Sequence, residues 1–390
     1  MRDLISTLLK MDRQRVLSGA VLSLAVLALL INLSASWGSY GREPLREAAS
    51  RSLFAERSSF FYDSGLAEPV PVAALKLGML AGGDPDLTVR VEGQLVFCLV
   101  FLFTLLLLRR DFGRDTSSLA AFFLGINPYV GYYALQGSSQ LYALLFLLLF
   151  WYYLLAPSGG RRSALLAGLY GGLACLSRLD SAWALLVLTG LAFASARGRS
   201  RLKEAGLALG LALLLTLPYL FFQKAAFGSP LFAQELGLRH WANVEAYGYG
   251  PGRARPQGPL SLGAFLFRHG PAGPLADSAR GLWHAVSYEL PRVIYQKALM
   301  VLVFLGIYAS FARRSYRLLL FLAAALLPVL PLAAIAQVPS RGGIELRYYL
   351  WALWALCALA AYGLQSFMEW LETETAARGQ KMARGASGGN

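Results

Sequence analysis

Residues 138–155 read SSQLYALLFLLLFWYYLL, with no charged side chain in the run. About 20 helical residues cross the hydrocarbon core of a bilayer, so an apolar run of this length reads as a membrane span. Lipid offers no partner for backbone N–H and C=O groups, so the run must be a helix. Working outward, further apolar runs lie on both sides: 16–33, 94–108 and 117–134 before it, then 164–176, 183–196, 206–222, 298–311, 318–336 and 348–368. The whole chain is 56% hydrophobic and 15% charged, where a soluble domain carries about 25% charged residues. The expected fold is all-α: a polytopic integral membrane protein with about ten transmembrane helices. A soluble reading is excluded.

The net charge is +14. The basic residues sit mostly in short loops at the ends of the apolar runs: RRDFGRD at 109–115, Arg161 and Arg162, Arg197 to Lys203, and Arg313-Arg314. That placement follows the positive-inside rule and is not a nucleic-acid footprint. It sets the N-terminal residues 1–15 and the tail 369–390 in the cytoplasm. Run 16–33 is long for a signal peptide and no A-x-A-like site follows it, so it is expected to be a retained span. The transmembrane body then covers 16–368, and the Gly-, Ala-, Arg- and Lys-rich tail is expected to be disordered. Two long polar segments, 35–93 and 223–291, fall on one side, the outer one. Partial helical periodicity at 46–61 and 72–80 predicts short interfacial helices in the first of them. Asn127-Pro128 interrupts the run at 117–134.

Long loops on one face of a compact protein point to a site there. The first carries Glu43, Glu47, Glu56, Asp63, Glu68, Asp84 and Asp86. A carboxylate beside a pocket at the membrane interface can act as general base. The suggestive settings are Gly41-Arg42-Glu43-Pro44 and the stretch YDSGLAEP at 62–69, although each acid taken alone reads better as a solvated loop charge. Ionisable groups at span ends carry more information. Arg178 and Asp180 lie between two spans, as a local ion pair or as working groups. Glu345, Arg347, Tyr348 and Tyr349 open the last span. An arginine there either snorkels or grips a phosphate with its planar fork. His240, His269 and His284 have no zinc-like spacing. Cys98, Cys175 and Cys357 read as small buried apolar residues. There is no P-loop and no dinucleotide fingerprint, and no metal or other cofactor is expected.

Several stretches in order resemble the GT-C type of membrane glycosyltransferase. The similarity is to the protein O-mannosyltransferases, the lipid A aminoarabinose transferases and the related bacterial family 39 enzymes. After the first span comes the acidic loop REPLREAASR at 42–51, where the family places its catalytic carboxylate. EPVPVAALKLGMLAGGDPDLTVRVEGQLVFCLVFLF, from Glu68, resembles the family's Pro-rich segment, amphipathic helix and second span. RRDFGRDTSSLAAFFLGINPYVGYYAL, SSQLYALLFLLLFWYYLL, LLAGLYGGLACLSRLDSAWALL, AFGSPLF from Ala226, and LRYYLWALWAL follow in the family's order. Arg42 stands where the family often has the first of two acids.

The resemblance implies a reaction. A polyprenyl-phosphate-linked sugar enters from the lipid, and a first-loop carboxylate activates the hydroxyl of a lipid, glycan or protein acceptor. The sugar is transferred with inversion on the outer face, in a bacterial inner membrane. It makes Glu43 the expected base, with Asp63 and Glu68 in reserve. Arg347, Tyr348 and Arg178 are expected to hold the donor phosphate, without a metal. The competing readings are a flippase or transporter of a lipid-linked sugar and a non-catalytic membrane subunit. No repeat between the halves favours a transporter.

Overall fold

The computed structural model describes residues 2–41, 45–156, 159–194, 199–248, 259–337 and 345–387, and every regular element among them is helical. Helix α1 (Arg2–Tyr40) holds the first apolar run. Helices α2 (Arg46–Arg57) and α3 (Pro69–Leu80) fall on the two stretches whose periodicity predicts them. Pro69 and Pro71 set the start of α3, where a proline's missing N–H costs nothing. Leu45, Ala48 and Ala55 pack against Val72, Leu75 and Val89, so the first polar segment has a small core of its own.

Helix α4 (Pro85–Phe112) begins where the Asp84 carboxylate accepts the Leu87 N–H at 3.0 Å and ends on Arg109 and Arg110. Helices α5 (Arg114–Gly125) and α6 (Pro128–Leu135) divide the third run at Asn127-Pro128, as the sequence predicts. The break releases backbone carbonyls inside the bundle. The Asn32 amide of α1 donates to two of them, Gly125 O at 2.8 Å and Asn127 O at 2.7 Å. Asn127 caps α6 by accepting the Tyr129 N–H at 3.0 Å, and its own amide donates to Val293 O at 2.9 Å. Helix α7 (Ser139–Leu154) forms from the charge-free run at 138–155, and it meets α6 at 110°.

Helices α8 (Arg161–Ser177), α9 (Ser181–Ala194) and α10 (Arg199–Phe227) follow. Helix α10 continues past Gln223, where the second polar segment was expected to begin. The Gln223 amide donates to Gly65 O at 2.7 Å and so ties α10 to the first polar segment. The second segment folds as α11 (Phe232–Tyr247), α12 (Leu262–Leu266), α13 (Gly273–His284), a π-helical turn at Ala285–Glu289, and α14 (Leu290–Val293). Then come α15 (Ala298–Ala312), α16 (Arg317–Leu326), α17 (Leu330–Ala333) and α18 (Leu350–Ser387). The expectation of a disordered tail differs from what is seen: α18 continues through it to Ser387. Glu, Ala, Arg, Lys, Gln and Met are good helix formers, and Glu374 pairs with Arg378 one turn on at 3.4 Å.

Residues 350–362 of α18 are buried on every side. A helix apolar all round belongs at the centre of a bundle, and α18 packs on α5, α7, α15 and α16. The Trp354 indole donates to Thr104 Oγ1 at 2.9 Å and the Trp351 indole to Gln140 O at 2.8 Å, so neither buried N–H is stranded. Helices α15 and α18 touch at Gly306 and Gly363, where a Cβ would run into the facing Leu359 and Leu302 carbonyl oxygens. Small residues permit such close approach in lipid, where apolar contact alone does not drive helices together. Large apolar side chains such as Leu27, Ile31, Leu214, Phe221, Val301 and Phe304 face outward from α1, α10 and α15, as lipid-facing surfaces do. Four of the described helices are long and apolar enough to cross a bilayer: α1, α4, α10 and α18; the bent pair α6 and α7 makes a fifth if it is one span. The other apolar runs form shorter helices.

Candidate active site

The turn between α8 and α9 is the natural starting point. Arg178 leaves α8 in an extended conformation, and Asp180 turns back to meet it. Their pairing is bidentate: Arg178 Nε lies 3.0 Å from Asp180 Oδ1, and Nη2 lies 2.9 Å from Oδ2. The local ion pair is therefore real, but it is not isolated. Glu68, at the start of α3, brings Oε1 to 3.9 Å from Arg178 Nη1. The Tyr348 ring lies 5.4 Å from the Arg178 guanidinium carbon and 5.5 Å from that of Arg347, within cation–π reach of both. Arg347 in turn pairs with Glu345 at 2.6 Å.

All three residues expected to hold a phosphate, Arg178, Arg347 and Tyr348, thus share one place. Trp241 of α11 packs against Tyr348 with ring centroids 6.1 Å apart. The two long polar segments, one through Glu68 and the other through Trp241, therefore meet across Arg178 and Tyr348.

The acids divide three ways. Glu43 lies outside the described residues, as do Arg42 and Pro44. Asp63 is occupied within its own turn, accepting the Ser59 N–H and hydroxyl, each at 3.1 Å. Glu68 joins the arginines. Burial pushes its carboxyl above the usual range, while the charges of Arg178 and then Arg51 pull it back. The Arg178 guanidinium is held above its ordinary value, its acidic neighbours outweighing burial.

Sequence reasoning passed over Arg51, Arg292 and Glu289. Arg51 is buried on α2 and donates to Gly137 O at 2.6 Å. In the sequence it is one arginine among several in a charged loop. Two of the histidines that lack zinc-like spacing have acid neighbours: His269 Nδ1 lies 3.0 Å from Asp277 and His284 Nε2 lies 3.5 Å from Glu289.

Next to the arginines opens a cavity of about 690 Å3, in the size range of small-molecule sites. Its walls are the end of α1 at Ser39 and Tyr40, α6 at Tyr129 and Tyr132, and Arg292 with Tyr295 after the second polar segment. Glu345 closes it on the side of the arginine cluster. Among the described residues no group of three or more His, Cys, Asp or Glu side chains is placed to hold a metal ion.

A helical membrane bundle with acids and arginines gathered where its long polar segments meet agrees with the GT-C resemblance of the sequence. Residues 67–222, under half of the chain, match the family described as dolichyl-phosphate-mannose-protein mannosyltransferase. That stretch contains Glu68, Arg178 and Asp180, and stops short of Arg347.

Among solved structures the chain is similar to the oligosaccharyltransferase of Archaeoglobus fulgidus tethered to an acceptor peptide, at a TM-score of 0.53 and 16% identity, covering 92% of this chain and 50% of that one. It is also similar to the oligosaccharyltransferase AglB of that organism in complex with an inhibitory peptide and a dolichol-phosphate, at a TM-score of 0.47 and 17% identity, covering 92% of this chain and 52% of the other. The chain thus spans about half the length of these proteins, and likeness at such identity speaks for the fold alone. No curated protein sequence matches it. The fold and the family match together make the chain similar to GT-C type glycosyltransferases.

Proposed function

We propose that the protein transfers a sugar from a polyprenyl-phosphate donor to a hydroxyl acceptor, with inversion, on the outer face of a bacterial inner membrane. The observation that carries this reading is the cluster of Glu68, Arg178, Arg347 and Tyr348, drawn from three separate parts of the chain. The family matched at residues 67–222 is described by a dolichyl-phosphate-linked mannose donor, which supports the choice of donor class.

The chemistry follows from the groups. Arg178 and Arg347, both near the Tyr348 ring, hold the donor phosphate by charge-assisted hydrogen bonds. A first-loop carboxylate takes the acceptor's hydroxyl proton. The acceptor oxygen attacks the anomeric carbon, and the bond from that carbon to the phosphate oxygen breaks. The electron pair leaves with the polyprenyl phosphate, whose charge the arginines stabilise. A phosphate ester is already a good leaving group, so this reading calls on no metal.

Glu43 remains the first choice for the base. In sequence it closely follows α1, and the resemblance aligns it with the family's catalytic carboxylate. Glu68 is the reserve, because it already faces Arg178. Asp63 comes last, being spent on Ser59.

The test is to incubate the protein, purified into nanodiscs, with a panel of radiolabelled polyprenyl-phosphate sugars and crude envelope acceptors. One donor is expected to give labelled product with equal release of polyprenyl phosphate. No turnover of any donor would remove the reading.

A further inference from the structure

The arginines of the cluster are already matched by acids: Arg178 by Asp180 and Glu68, Arg347 by Glu345. Arg292 is placed differently. It follows the π-helical turn and contributes to the wall of the 690 Å3 cavity. Its closest acid is Glu289, with Nη1 4.0 Å from Oε2, and it lies over the Tyr288 ring at 5.8 Å. Its side chain remains 45% exposed, whereas that of Glu289 is 0% exposed.

The carboxyl of Glu289 has His284 Nε2 at 3.5 Å besides Arg292, and burial pushes the group above the usual carboxylate range. At 4.0 Å from Arg292 Nη1, the Glu289 carboxyl stands beyond hydrogen-bond reach of that guanidinium. Arg292 is the one basic side chain among the described residues that wall the cavity. The opposite acid, Glu345, is engaged by Arg347.

The rest of the wall suits a ring bearing hydroxyl groups. Tyr40, Tyr129, Tyr132 and Tyr295 line the cavity, and a tyrosine combines an apolar ring with a hydrogen-bonding hydroxyl. Tyr295 is held at φ +63°, a backbone region that a residue with a bulky side chain rarely occupies, and its ring meets Tyr129 edge-on at 6.0 Å. Such strain persists where surrounding structure enforces it, and it gathers at ligand sites.

We infer that this cavity is the acceptor pocket and that it takes a sugar-like acceptor carrying an anionic group, gripped by Arg292. The inference rests on the transferase reading above and narrows its acceptor to an anionic class. Arg292 binds the charge, the tyrosines carry the ring, and the hydroxyl to be glycosylated points toward the donor cluster beyond Glu345.

The probes are glucose 6-phosphate, glucose and inorganic phosphate, titrated by calorimetry against the full chain in phosphatidylcholine nanodiscs, with undecaprenyl phosphate as the donor-side probe. Glucose 6-phosphate is expected to bind about 10- to 100-fold more tightly than glucose, the value of one charge-assisted contact, and more tightly than inorganic phosphate. Arg292→Gln should remove that preference and Arg292→Lys should keep part of it, with both variants matching the wild type in thermal unfolding. Undecaprenyl phosphate should bind Arg292→Gln unchanged.

Equal binding of the two sugars, binding of neither, or full binding of glucose 6-phosphate by Arg292→Gln would overturn the proposal. So would loss of undecaprenyl phosphate binding in that variant, which would assign Arg292 to the donor. Failure of the transferase reading shows elsewhere, as a wild type that turns over no lipid-linked sugar, and leaves this binding result standing.

Discussion

At the scale of single residues, the account depends on a carboxylate and on the arginines it faces. Removing a general base typically costs about 100- to 10,000-fold in rate. Glu43→Gln is therefore expected to fall by that much while binding donor normally. Arg347→Ala should weaken donor binding instead, through a lost charge-assisted contact. Wild-type turnover by Glu43→Gln would pass the role to Glu68.

Glu68 makes a separate prediction for pH. Burial raises its carboxyl and Arg178 opposes that most strongly. Whether it takes the proton or holds Arg178, it must be ionised, so activity should fall as pH drops through a value above the ordinary glutamate range. Arg178→Gln removes the largest charge favouring the ionised form and should move this acid limb of kcat/KM further up. A limb that stays put in that variant would show that Glu68 does not titrate in the reaction.

Arg178, Arg347 and Tyr348 were legible in the sequence because ionisable groups at span ends are costly and so conspicuous. Arg51 and Arg292 were not, because a loop arginine carries no mark of which cavity it will face.

At the scale of elements, hydropathy and punctuation made most of the bundle readable. Charge-free runs gave α4, α7 and α18, and Asn127-Pro128 gave the break between α5 and α6. The repair of that break was not readable. Nothing in the sequence pairs Asn32 with carbonyls at Gly125 and Asn127, more than 90 positions away. Asn32→Leu should leave both carbonyls buried without that donor, at about 1–3 kcal/mol for each. Unfolding titrations in mixed micelles should show that loss, whereas Ser23→Ala, at an exposed hydroxyl bonded within its own helix, should change little. Equal stability of the two variants would mean that Asn32 holds nothing together. The extent of the helices was also misjudged at α10 and α18, where good helix formers carry the element past the point at which polarity begins.

At the scale of the whole molecule, charge alternation gave an orientation that awaits a direct test. Ser58 is buried and its carbonyl accepts from the Lys76 ammonium, so it is unsuited to labelling. Exposed Glu56 and Ala264 are the better reporters of the two polar segments, with Arg162 for the opposite side. Single cysteines in a cysteine-free background should react with an impermeant maleimide from outside at Glu56 and Ala264 only. Reaction at Arg162 from outside would invert the topology.

The meeting of the two polar segments at Tyr348 was foreseen as a shared site. The tyrosine-walled cavity beside it was not, since its wall is gathered from α1, α6 and two segments far along the chain.

The central claim is inverting transfer from a lipid phosphate, and the configuration of the product tests it most directly. Proteoliposomes would be loaded with a polyprenyl-phosphate sugar of defined anomeric configuration, and the product glycoside examined by NMR. The account predicts the opposite anomer, formed in step with free polyprenyl phosphate. A product of retained configuration, or intact donor carried to the other leaflet with no product at all, would contradict it.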